Sequence, residues 1–235
     1  MTSELAGLKE AVCEANVELV RLGLVLFTWG NVSGIDRARG LVVIKPSGVS
    51  YETMKPEHFV AVRLRDGSVA EGDLKPSSDT PTHLALYRAF ESIGGIAHTH
   101  SPYATAWAQV CRDLPCFGTT HADHFHGAVP CTAVLSDDEI AGDYERATGE
   151  AIVRRFREAA IDPLRIPAVL VANHGPFTWG RDAAAAAVNA RVLEECARMA
   201  LDTLALNPDQ PPIKQTLLDK HFLRKHGPGA YYGQK

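Results

Sequence analysis

The strongest constraint on how this chain folds is a pair of histidines in an apolar, strand-like run, Gly95-Ile96-Ala97-His98-Thr99-His100. Side chains alternate faces along a strand, so His98 and His100 point the same way. Upstream, Ser77-Ser78-Asp79-Thr80-Pro81-Thr82-His83 brings a carboxylate, Asp79. Two imidazoles on one face with a carboxylate nearby are the beginning of a metal site. A third candidate is His174, at the end of the apolar run Val169-Leu170-Val171-Ala172-Asn173. The spacing alone leaves open whether His174 comes near the other two. A single buried histidine is more often structural than ligating, but this pattern shifts the balance toward a metal. The donor set suits Zn²⁺, and Mn²⁺ or Co²⁺ would also be accepted. Asp79 has a second reading, as the N-cap of a helix that Pro81 opens, and it can serve both ends.

Bulk properties exclude several classes. With 24 basic and 28 acidic residues the formal charge is −4, which argues against a nucleic-acid or polybasic membrane surface. No apolar run approaches the ~20 residues of a membrane span, and the first residues lack the basic and apolar regions of a signal peptide. The five cysteines, Cys13, Cys111, Cys116, Cys131 and Cys196, form no C-x-x-C pair. They read as free thiols of a reducing cytoplasm.

The pattern along the chain predicts one domain over residues 1–235. Leu5, Leu8, Val12, Ala15, Leu19 and Leu22 share a helical face that Gly23 terminates. Strands are expected at 31–35 and 41–44 around the turn 36–40, and at 59–64 and 68–70 around Asp66-Gly67. Helices follow near 79–90, 103–110, 147–159, 182–206 and 215–225. The strand with His98 precedes the second of these, and an apolar strand at 168–173 reads as buried on both faces. The alanine run 183–187 reads as helix propensity alone. Strands and helices without a regular βαβ rhythm indicate a sheet with helices packed on its faces.

Three small-polar turns offer an anion cradle: Gly30-Asn31, Lys45-Pro46-Ser47-Gly48 and Ser77-Ser78. Small residues let backbone N–H groups approach a phosphate, Lys45 adds charge, and Ser77-Ser78 precedes a helix N-terminus. Singly, each is an ordinary turn. Neither G-x-x-x-x-G-K-[ST] nor G-x-G-x-x-G occurs, so a nucleotide cofactor has no support. The segment Thr119-Thr120-His121-Ala122-Asp123-His124-Phe125-His126 is either a second metal site or a polar loop. The ending Gly229-Ala230-Tyr231-Tyr232-Gly233-Gln234 would ordinarily fray, yet its two tyrosines suggest that it is tied down.

These motifs, in this order, resemble the L-ribulose-5-phosphate 4-epimerase family of the class II (zinc) sugar-phosphate aldolase/epimerase superfamily. The likeness also shows in Thr28-Trp29-Gly30-Asn31-Val32-Ser33, Asn173-His174-Gly175-Pro176-Phe177 and Gln215-Thr216-Leu217-Leu218-Asp219-Lys220-His221, and it spans essentially the whole chain. It implies an α/β, single three-layer domain whose central, mostly antiparallel sheet is flanked by helices. It implies His98, His100 and His174 as zinc ligands, with Asp79 as a nearby carboxylate. Gly30, Asn31, Lys45, Ser47, Gly48, Ser77 and Ser78 would hold the substrate phosphate. Asp123 and Tyr232 would be the proton donor and acceptor on opposite faces of the substrate. It further implies a cyclic homotetramer with active sites between subunits, to which Thr119, Glu145 and His221 are additional contributors. The chain departs from the pattern at His124 and His126, where relatives often carry tyrosine, and at Ala172, where some carry a polar or basic residue.

The implied reaction interconverts L-ribulose 5-phosphate and D-xylulose 5-phosphate, in pentose (arabinose) catabolism. The C4 proton is not alpha to the C2 carbonyl, so simple deprotonation cannot invert that carbon. Cleaving C3–C4 instead gives glycolaldehyde phosphate and the enediolate of dihydroxyacetone, which a Lewis-acidic metal stabilises. Turning the aldehyde over and remaking the bond inverts C4, with an acid/base on each side of the C4 oxygen. Three other readings compete. A sugar-phosphate aldolase of the L-fuculose-1-phosphate type uses the same logic, but tends to carry Glu at the position of Asp79. A non-catalytic zinc domain would favour cysteine ligands, and no cysteine constellation exists here. A His-ligated metallohydrolase is the third.

Overall fold

The computed structural model describes residues 5–232, so the Gly233-Gln234 end of the tail motif lies outside the described residues. The first helix, α1 (Ala6–Arg21), buries Val12, Ala15 and Leu19, and Gly23 leaves it with a φ of 69°. Two hairpins follow, β1 (Asn31–Asp36) with β2 (Leu41–Ile44) and β3 (Val60–Arg63) with β4 (Val69–Glu71). A single 3-10 turn, Pro56–His58, separates them. Next come α2 (Thr80–Ala89), β5 (Gly95–His98) and α3 (Pro102–Gln109), then the short helices α4 (Thr119–Ala122) and α5 (Asp137–Ala141). The chain continues through α6 (Tyr144–Glu158), the hairpin β6 (Ala168–Val171) and β7 (Gly175–Gly180), α7 (Ala183–Leu206) and α8 (Gln215–His226).

The seven strands form one sheet in the order β4-β3-β2-β1-β5-β7-β6, and every neighbouring pair is antiparallel. Strand alternation divides its side chains between two cores. Val32, Val43, Ala61 and Ala97 face α1 and the start of α7. Val42, Val60, Val62, Ile96 and Phe177 face α2 and α6. Each fully buried aliphatic or aromatic side chain here stabilises the fold by roughly 1.5–3 kcal/mol. A third core lies where α3 and the second half of α7 cover Ala168 and Leu170 of β6.

The 168–173 run is a strand buried on both faces, as expected, although it ends at Val171 and pairs antiparallel with β7. It is buried because α6 covers one face, α3 and α7 the other, and the segment at Pro130–Thr132 bonds to Leu170 along its open edge. Strand β7 inserts between β5 and β6, and its Gly-Pro start conceals the strand signal in the sequence. The alanine run is more than propensity. Ala183, Ala186, Ala187 and Ala190 are buried against the sheet. Gly95 completes that contact, since a Cβ there would sit 2.3 Å from the backbone nitrogen of Ala183. Small residues on both partners therefore let α7 lie close on β5.

Candidate metal centre and active site

Strand register gathers the histidines at one edge of the sheet. Asn31 of β1 pairs with His98, and His98 pairs with Phe177 of β7. His174 sits in the three-residue connection between Val171 and Gly175, directly beside that edge. Asn173 adopts a left-handed φ of 61°, and its backbone N–H donates to the Ala108 carbonyl. Strand β5 stops at His98, so His100 lies just beyond it, yet the alternation persists and both rings turn the same way. The Nε2 atoms of His98 and His100 are 3.1 Å apart. One nitrogen from each of His98, His100 and His174 lies within 4.8 Å of the others.

The His98 ring is held in a metal-ready tautomer. His98 Nδ1 donates to the Pro176 carbonyl at 2.9 Å, which leaves the Nε2 lone pair free, and its ring stacks on Phe177 at 4.1 Å. Burial, then the neighbouring His98 and His100, push the His174 imidazolium down to about 3, so the ring is neutral near pH 7. Burial likewise lowers His100, with His98 adding to it. Three imidazoles whose ligand nitrogens gather within 4.8 Å of one another are a donor set that fits a borderline-soft divalent cation.

Asp79 occupies the N-cap position of α2, but its side chain makes no capping bond. It turns instead to Asn31, whose Nδ2 donates to Oδ2 at 2.6 Å. Burial alone would raise this carboxyl; His98, His83, the Asn31 bond and His174 outweigh it and bring it below the usual range. Asp79 shares the cleft with the three histidines, although its carboxylate is not part of their 4.8 Å cluster.

That cleft, about 550 Å³, is lined by all seven expected phosphate-holding residues: Gly30, Asn31, Lys45, Ser47, Gly48, Ser77 and Ser78. Two segments meet back to back to form it, through Ser47 N–H to the Lys75 carbonyl and Ser77 N–H to the Lys45 carbonyl, both at 2.9 Å. Gly30 is required where it stands, because its φ is +72° and a Cβ would be 2.7 Å from the His98 carbonyl oxygen. Lys45 is 2% exposed, and its ammonium donates to the Thr28 carbonyl at 3.2 Å. Burial lowers its pKa, and Asp79 partly restores it.

Asp123 and Tyr232 do not line this cleft. They meet in a second cluster, around α8. Asp123 follows α4 and accepts from His221 Nδ1 at 3.0 Å and from Arg224 Nη2 at 2.8 Å, with Lys225 Nζ at 3.3 Å. Burial works against its charge, but the bonds from Arg224, His221 and Lys225 prevail and bring its pKa down to about 2. The Tyr232 ring meets both Arg224 and Lys225, at 4.9 and 4.6 Å from ring centroid to cation, and is 59% exposed. The tyrosine-bearing end is thus tied down, through Tyr231 and Tyr232 N–H groups that both reach the Arg224 carbonyl. Thr119 opens α4 beside this cluster, while the Glu145 carbonyl accepts from Thr82.

The loop 119–126 is not a second metal site: among the described residues only His98, His100 and His174 form such a group. His126 bonds Asp219 at 2.7 Å and packs on Phe222, pinning α8, and His121 Nε2 donates to the Gly127 carbonyl. All five cysteines are free, and four of them are buried.

Sequence reasoning passed over three residues that shape the site. Tyr51 donates to the Trp29 and Gly30 carbonyls at 2.8 and 3.0 Å, fixing the 28–30 turn. Tyr144 places its hydroxyl 3.3 Å from His174 Nδ1. Buried Glu194 accepts from Tyr103 and Ala104 N–H at 3.0 and 2.9 Å, capping α3 immediately after the His100 segment. Each acts across a long stretch of chain, where local pattern carries no signal.

The match to the model of the class II aldolase and adducin N-terminal domain, over residues 10–201, joins a metal-ready sheet edge to a known architecture, and the chain belongs to that family. Within it, the chain is 57% identical to the L-ribulose-5-phosphate 4-epimerase UlaF of Salmonella typhi over 228 residues, 97% of this chain and 99% of the relative. UlaF of Salmonella choleraesuis (strain SC-B67) matches at the same identity and coverage. Among solved structures, an L-fuculose 1-phosphate aldolase superposes with a TM-score of 0.77 at 24% identity, covering 92% of this chain and 94% of the other. YgbL from Klebsiella pneumoniae, described as a putative aldolase/epimerase/decarboxylase, gives 0.71 at 24% identity, with 91% and 97% covered. At these identities the two structures share the fold.

Proposed function

We propose that this protein is an isomerase, an L-ribulose-5-phosphate 4-epimerase that interconverts L-ribulose 5-phosphate and D-xylulose 5-phosphate by breaking and remaking C3–C4. The observation that carries this reading is 57% identity to curated epimerases over 97% of the chain. The imidazole cluster beside an anion-suited cleft agrees with it. We assign His98, His100 and His174 to hold Zn²⁺, or Mn²⁺ or Co²⁺ as substitutes, with Asp79 alongside. When bound, the cation supplies Lewis acidity to the C2 and C3 oxygens of the substrate.

The chain's own groups do the rest. Lys45 and the small residues Gly30, Asn31, Ser47, Gly48, Ser77 and Ser78 grip the phosphate, so the aldehyde fragment stays bound while its carbonyl face turns over. Asp123 and Tyr232 move protons at the C4 oxygen, one on each face of the substrate. Both stand outside the cleft of their own chain, which supports a homotetramer in which a neighbouring copy brings them to the metal. No helix among the described residues is long and apolar enough to cross a membrane, in keeping with a place in cytoplasmic pentose catabolism.

The test is incubation with L-ribulose 5-phosphate, following D-xylulose 5-phosphate with and without a chelator. Chelator-sensitive conversion is expected. No conversion by metal-loaded protein, with cleavage of L-fuculose 1-phosphate instead, would transfer the reading to the aldolases.

A further inference from the structure

Arg224 touches both members of the proposed acid/base pair. Its guanidinium grips Asp123 as a fork, Nε to Oδ1 at 3.2 Å and Nη2 to Oδ2 at 2.8 Å. The same group lies 4.9 Å from the centroid of the Tyr232 ring. Its main-chain carbonyl accepts from Tyr231 N–H at 3.0 Å and Tyr232 N–H at 3.2 Å, so the chain folds back onto the last turn of α8. His221 also holds Asp123, and Lys225 touches both groups, but neither offers a two-point contact. Only Leu218 and Phe222 of α8 are buried, and Tyr232 is largely exposed. Packing therefore cannot set the distance between carboxylate and phenol, whereas a planar, two-point contact can.

We infer that Arg224 is a positioning residue that locks the Asp123 carboxylate and the Tyr232 ring into one unit, presented together to the substrate. This rests on the acid/base roles proposed above. Arg224 acts through its two contacts, the Nε and Nη2 donors on Asp123 and the guanidinium against the Tyr232 ring. Lys225 also touches both groups, 3.3 Å from Asp123 Oδ2 and 4.6 Å from the Tyr232 ring. Its ammonium is a point charge and cannot supply the fork.

The test compares Arg224→Met, Arg224→Lys, Tyr232→Phe and the double variant Arg224→Met/Tyr232→Phe, all as metal-loaded protein. Misplacing a reacting group by about 1 Å can cost on the order of 100-fold in rate, and that is the kcat loss expected for Arg224→Met. Substrate KM and metal content should stay at wild-type values, since the cleft residues are untouched. Arg224→Lys, which keeps the charge, should recover part of the lost kcat. In the double variant the loss should be close to that of the worse single variant, because both changes disable one unit. Losses that multiply, or wild-type kcat in Arg224→Met, would overturn the inference. If Arg224→Met fails to fold, Arg224→Lys carries the test alone: reduced kcat at unchanged KM and metal content supports the inference, and wild-type kcat overturns it. Wild-type activity in both Tyr232→Phe and Asp123→Asn would instead remove the acid/base reading itself, an outcome separate from failure of Arg224 alone.

Discussion

The hydroxyl of Tyr144 lies 3.3 Å from Nδ1 of His174. For His174 to offer a lone pair at Nε2, Nδ1 must carry the proton and Tyr144 must accept it. Burial raises the Tyr144 pKa, so the phenol stays protonated and its oxygen remains a neutral acceptor. Groups that orient a metal-bound imidazole are typically worth about 10–100-fold in metal affinity. Tyr144→Phe keeps the ring and deletes only this oxygen. Its affinity for Zn²⁺ should fall by about tenfold in a competitive chelator titration, and an unchanged affinity would show that the contact does not orient the ring.

His98 is the most constrained of the three imidazoles: buried, stacked on Phe177 and donating to Pro176. His98→Ala should lose bound metal and epimerase activity together. Metal content by atomic emission, read beside the rate, is the measurement; full activity in this variant would refute a ligand role.

How much of this could be read from sequence follows from the range of each interaction. The β1–β2 and β3–β4 hairpins and the Gly23 stop depend on neighbours in the chain, and the pattern located them. The shared face of His98 and His100 survives even though β5 ends at His98, where Thr99 N–H still donates to the Pro176 carbonyl. The side-chain partner of Asp79 was hidden, since Asn31 sits 48 residues away and displaces the local cap. Tyr144 was missed for a related reason. Asp143 caps α6 earlier than the apolar periodicity begins, so the tyrosine falls in a helical turn with no hydrophobic signal. The depth of Ala183–Ala187 required the small face of β5, which only the sheet order reveals.

Lys45 combines deep burial with hydrogen bonds to neutral carbonyls, so its charge is held ready for an anion entering the cleft. A charge-assisted hydrogen bond contributes about 1.5–3 kcal/mol. Lys45→Met should therefore raise KM for L-ribulose 5-phosphate by about tenfold or more, with metal content unchanged. Steady-state kinetics alongside metal analysis checks both parts, and an unaltered KM would remove Lys45 from phosphate binding.

Asp123 makes the docking of α8 depend on pH in a definite direction. Its folded pKa is about 2, against about 3.9 for an unperturbed aspartate. A depressed folded pKa contributes stability that is fully present above the unfolded value and is lost as pH falls through the folded one. The contacts with Arg224, His221 and Lys225 should therefore hold α8 at neutral pH and weaken between about pH 4 and pH 2. Hydrogen exchange of residues 215–226 is the direct readout. Wild-type protection should be high at pH 6 and fall below pH 4, whereas Asp123→Asn should show low protection already at pH 6. Equal protection in the two proteins at pH 6 would mean that Leu218 and Phe222, rather than the ion network, hold the helix.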